Sequence, residues 1–82
     1  MSGKYYTQLA EKYKTQTTHL LKIYGLTDRE GEILEYIIIG KANKEISKLL
    51  FIQEGTVKNH LHNIYQKTNV SSRLELLSLI ID

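Results

Sequence analysis

Apolar side chains recur at every third or fourth position along most of the chain, and no stretch alternates convincingly with the period of two that a strand needs. Tyr6, Leu9, Ala10, Tyr13, Thr17, Leu20, Leu21 and Tyr24 share one helical face and predict an amphipathic segment from about Lys4 to Tyr24. Gly25 is placed to end it, because glycine accepts the left-handed conformation common just past a helix. Thr27-Asp28-Arg29-Glu30 has the spacing of a capping box: the Thr hydroxyl serves an orphan amide and the Glu three residues on reaches back. Ile33, Leu34, Ile37 and Ile38 then form an apolar face, and Gly40 stops the helix. Gly31, inside it, reads as a weak spot, about 1 kcal/mol worse than Ala in a helix interior.

A short helix follows from about Asn43 to Leu50, with Ile46, Leu49 and Leu50 expected inward. Phe51 and Ile52 make a link, and Gln53-Glu54 leads into a further helix, from about Glu54 to Lys67. There Val57, Leu61 and Ile64 mark the buried face, so Lys58, Asn59, His62 and Gln66 must point the other way. Thr68-Asn69-Val70 forms the next connection, and Ser72 with Glu75 three residues on caps a last helix to about Ile81. The pattern predicts an all-α chain of about five helices, without repeats or low-complexity segments.

Composition narrows what such a chain can do. There is no cysteine, which excludes disulfides and thiolate metal sites. The start, Met1 to Lys14, is polar and Tyr-rich, with no apolar core of a signal peptide. The longest apolar runs, such as Tyr36 to Ile39, fall far short of the roughly 20 residues of a membrane span. A soluble, cytoplasmic chain with no membrane partner is expected. His60 and His62 point in different directions on a helix, and His19 is distant, so neither a metal site nor a cofactor is expected. No paired acids sit with a nucleophile and no Gly-rich phosphate loop occurs, so the chain is not read as an enzyme.

The net charge of +2 says little, but its distribution says more. Residues 41–67 carry five Lys against Glu45 and Glu54, while residues 26–40 carry one Arg against four acids. Positive charge thus falls on two consecutive helices whose lengths and intervening turn suit a helix-turn-helix. The second helix exposes donor-rich side chains of the kind that read base edges: Lys58 for guanine, Asn59 or Gln66 for adenine, with His62 on the same face. Thr56 and the amides near it suit phosphate. A helical protein-interaction module is the competing reading, since a basic face can also meet an acidic protein. Steep salt dependence on arbitrary duplex DNA separates the two.

Leu26-Thr27-Asp28-Arg29-Glu30, Ile33-Leu34, Gly40, Asn43-Lys44-Glu45-Ile46, Leu50, Ile52, Thr56-Val57-Lys58, His60, Asn63-Ile64, Lys67, Val70 and Arg73 together resemble the LuxR/GerE (NarL/FixJ) family of bacterial regulators. The resemblance covers about residues 26–82. It implies a four-helix domain, here preceded by an extra N-terminal helix or linker over residues 1–25, with its third helix in the major groove of double-stranded DNA. Lys58, Asn59 and His62 match the family's groove-facing positions; Lys44, Thr56 and Lys67 match phosphate-side positions, and His60 and Gln66 are placed as supporting residues. His62 stands where Lys is frequent, and Ala42 and Gln53 stand where Ser often caps a helix. Glu30 and Arg73 are expected to pair across the fold. The apolar last helix offers Leu74, Leu77 and Ile81 to a second copy in a homodimer, unless the N-terminal helix covers that surface instead. An upstream sensory or receiver domain, missing from this chain, is the expected source of the signal.

Overall fold

The computed structural model describes Gln8 and residues 11–81. Among them are five helices and no strand: α1 (Lys14–Tyr24), α2 (Asp28–Ile38), α3 (Asn43–Leu50), α4 (Glu54–Thr68) and α5 (Arg73–Ile81). The expectation of a helix reaching back through Tyr6, Leu9 and Ala10 lies outside the described residues. In α1, Thr17 and Leu20 face inward, and the Thr17 hydroxyl donates to the Tyr13 carbonyl at 3.0 Å, so burial leaves no orphan oxygen. Gly25, at φ 65°, turns the chain so that its amide donates to the Leu21 carbonyl, with Leu26 bonding the same oxygen at 3.0 Å.

The capping box before α2 forms as the spacing predicts. Thr27 Oγ1 accepts from the Glu30 amide at 3.1 Å, and Glu30 Oε1 accepts from the Thr27 amide at 2.9 Å. Gly31 has a different meaning from the weak spot expected. It is buried, and a Cβ there would lie 2.9 Å from Leu21 Cδ2. The missing side chain lets Leu21 of α1 seat directly on α2, which gives a packing reason for a glycine at this position despite its poor helix propensity.

α1 packs on α2, α3 on α4, α2 on α4, and α1 on α5. Between them Ile33, Leu34, Ile37, Ile46, Val57, Ile64, Leu76 and Ile80 lose essentially all contact with water. At about 1.5–3 kcal/mol for each such side chain, this burial is the main favourable contribution to holding the bundle together. α1 meets α5 yet leaves much of it open: Leu74 is 74% and Ile81 49% exposed, with Leu77 half-buried.

Two expectations need correction. Leu49 does not point inward but is 46% exposed; Ser47 is buried in its place, its hydroxyl satisfied by the Lys44 carbonyl at 2.7 Å. The eight-residue α3 turns Ile46 fully inward and leaves Leu50 half-buried, one turn on, with Leu49 beside that face. Glu30 and Arg73 do not pair with each other either. The Glu30 carboxylate takes Lys67 Nζ at 2.9 Å, because the last turns of α4 cross the start of α2. The Arg73 guanidinium turns to the start of α3, donating to the Lys41 carbonyl and, at 3.4 Å, to Asn43 Oδ1.

Candidate nucleic-acid interface

α3 and α4 are joined by a tight three-residue turn. Phe51 ends α3 in the left-handed region at φ 57°, and the Ile52 amide donates back to the Ser47 carbonyl at 3.0 Å. That conformation is uncommon outside Gly and Asn. Phe51 is 94% exposed, so no packing of its ring offsets the strain. Gln53 then adopts the extended backbone of an N-cap, but its side chain makes no cap bond. Ala42 has the same geometry before α3, where only the reverse half of a capping box forms, the Ala42 amide donating to Glu45 Oε1 at 3.0 Å.

In α4 the inward row is Val57, Leu61, Ile64 and Thr68, at helical spacing. Burying that row forces Lys58, Asn59, His62 and Gln66 into solvent, where Asn63 joins them. Lys58 and His62 sit one turn apart and line a shallow cleft with Asn43, Leu61 and Tyr65. Lys44 is exposed on α3, while Thr56 and His60 are half-buried along the edge of α4. The outward face is therefore rich in hydrogen-bond donors and carries Lys58 as its fixed cation.

Lys67 stands apart from that group, since its ammonium is committed to Glu30. Burial pushes the Glu30 carboxyl up. The Lys67 hydrogen bond, the Thr27 amide and the nearby positive charge outweigh this and hold the carboxyl below the usual carboxylate range. Two polar residues beside this face were read from the sequence only as family matches: Asn63, which is exposed, and Asn43, which Arg73 holds. Asn63 could have been found from its spacing to Asn59 and Gln66. No local signal links Asn43 to an arginine thirty positions away.

With this geometry in view, the family model for bacterial regulatory proteins of the luxR family (GerE) matches residues 24–80. The chain belongs to this family. It is 49% identical over 53 residues to the probable csgAB operon transcriptional regulatory protein of Salmonella typhimurium, covering 65% of this chain and 24% of that protein. It is 45% identical over 53 residues to the transcriptional regulatory protein DesR of Bacillus subtilis, covering 65% and 27%. It is 46% identical over 58 residues to the nitrate/nitrite response regulator protein homolog of Haemophilus influenzae, covering 71% and 28%. The matches thus span about a quarter of each of these relatives. No solved structure matches the chain significantly. The LuxR-family match takes in α2 to α5, so α3 and α4 are the helix-turn-helix of a DNA-binding domain, and α1 is an additional helix packed onto it. Among the described residues no helix is long and apolar enough to cross a membrane.

Proposed function

We propose that this LuxR-family domain binds duplex DNA sequence-specifically as part of a bacterial transcriptional regulator, with α4 in the major groove. The observation that carries the reading is the outward face of α4, where burial of Val57, Leu61 and Ile64 leaves Lys58, Asn59 and His62 projecting together from the second helix of a helix-turn-helix. A helix fits the major groove, and these side chains offer the donors that base edges accept: a Lys for guanine O6 and N7, an Asn for adenine. Lys44, Thr56, His60 and Gln66 flank that face at positions suited to phosphate, so they would set register without reading sequence. His62 adds ring nitrogens that can donate to or accept from a base edge on the same face.

In this reading residues 26–82 are the DNA-binding domain, preceded over 1–25 by a helix or linker, and Leu74, Ile81 and the half-buried Leu77 of α5 are the surface on which two copies meet. Pairing two copies doubles the DNA site and places two α4 helices about one helical turn apart. The signal reaches the domain from another part of the regulator, and the protein works in the cytoplasm on the nucleoid.

Fluorescence anisotropy with a labelled mixed-sequence duplex, at about 50 and 200 mM salt, tests the reading. Binding that weakens by orders of magnitude across that range is expected of several phosphate contacts. A folded domain that binds no duplex at low salt would refute it.

A further inference from the structure

The structure assigns Asn43 as a further DNA contact, donating through its side-chain amide to a phosphate beside Lys58, with Arg73 as the residue that positions it. The assignment rests on the DNA-binding reading above and extends it to a residue outside α4. A guanidinium has five donors and no acceptor, so the Asn43 atom facing Arg73 Nη1 at 3.4 Å must be the carbonyl oxygen. This fixes the orientation of the amide, which is otherwise ambiguous, and turns its NH2 group away from Arg73. Arg73 is itself anchored by its second nitrogen on the Lys41 carbonyl, so the fork is held at two points. Among the described residues no hydrogen bond uses the Asn43 NH2 group.

Placement then decides what that donor meets. Asn43 is the first residue of α3 and is half-buried. It lines the same cleft as Lys58 and His62, so it stands across from the outward face of α4 rather than on it. With α4 in a major groove, a donor on the neighbouring helix at the edge of that face lies where a groove is bounded, which is the phosphate backbone. A neutral amide with both protons available suits a phosphodiester oxygen there. Lys67, the cation expected on the phosphate side, is held by Glu30 instead. Arg73 spends donors on the Lys41 carbonyl and on Asn43, and its role in this assignment is to hold the Asn43 amide in place.

The test is Asn43→Asp, which keeps the shape and the acceptor that Arg73 holds but replaces the outward donors by a second acceptor. An acid in the first turn of a helix is favoured by the helix dipole, so the fold is retained and melting is unchanged or raised. Gln16→Glu, on the exposed side of α1, supplies the same change in net charge at a distance. On a mixed-sequence duplex at low salt, Asn43→Asp binds at least about tenfold more weakly than Gln16→Glu. Equal affinities of these two variants, with the wild-type domain binding normally, overturn the assignment while leaving the DNA reading intact. Failure of the wild-type domain to bind refutes both. The positioning role is read in a cycle: Arg73→Gln weakens binding in the wild type but adds nothing in an Asn43→Ala background. Additive losses would show that Arg73 acts through its own charge.

Discussion

Replacing Lys67 by Met removes the ammonium that Glu30 holds at 2.9 Å and keeps most of the aliphatic stem that lies over the bundle. Breaking a fully buried pair by deleting one partner costs about 3–5 kcal/mol. An exposed pair is worth only about 0.2–1 kcal/mol. Here the Glu30 side chain is 3% exposed and that of Lys67 36%, so solvent screens one end but not the other. The Thr27 amide still donates to the carboxylate after the substitution, which limits the loss further. A destabilisation of roughly 1–2 kcal/mol follows, and for a domain of this size the melting temperature falls by about 5–15 °C.

The effect has a pH signature. Glu30 titrates lower in the fold than in the unfolded chain, so its contribution is fully present above the unfolded value of about 4.3 and fades as pH falls through the folded one. Urea denaturation of the two proteins should therefore show the widest gap near neutral pH and converging curves in acid. Duplex affinity of the folded Lys67→Met domain should match the wild type, with the same salt slope. Unchanged stability together with a salt slope smaller by about one would refute the argument and make Lys67 a phosphate contact.

The two incomplete caps offer a gain. Ala42→Ser and Gln53→Ser each place a hydroxyl on an N-cap of suitable backbone geometry and should stabilise the domain by about 0.5–2 kcal/mol in thermal melts. Gly31→Val should push Leu21 off α2 and lower the melting temperature, whereas Leu21→Ala combined with Gly31→Ala should recover most of the loss by refilling the socket. Lys58→Ala should weaken binding to a selected operator by about 1–3 kcal/mol and random duplex far less, while Lys44→Ala weakens both alike; competition titrations distinguish them.

What could be read from the sequence was whatever depends on near neighbours along the chain. The Thr27–Glu30 box needs only three residues of separation, and the row Val57, Leu61 and Ile64 needs only helical geometry, so both follow from spacing. The exposed face of α4 follows in turn, because it is what the buried row leaves over. Ion-pair partners do not follow. Glu30 meets Lys67 rather than Arg73 because of where two helices cross, and the two candidates differ in sequence by too little to choose between them. Gly31 misleads for a related reason: its cost is intrinsic to its own helix, while its use depends on Leu21 of another. Leu49 is exposed and Ser47 buried because hydrophobicity ranks residues without knowing where the neighbouring helix lies.

The order in which these helices pack also sets how the chain comes together in time. α1 lies on α2 and α3 on α4, so two pairs form from contacts close in sequence, with little loop entropy to overcome. Bringing α1 against α5 closes nearly the whole length of the chain and gains its contacts last. Mutations at Leu76 or Ile80 should then act mainly on the unfolding rate, and those at Ile46 or Val57 on the folding rate. With no proline in the sequence, refolding after a stopped-flow jump should show no slow isomerisation phase, only a fast step that ends when the last helix docks on the first.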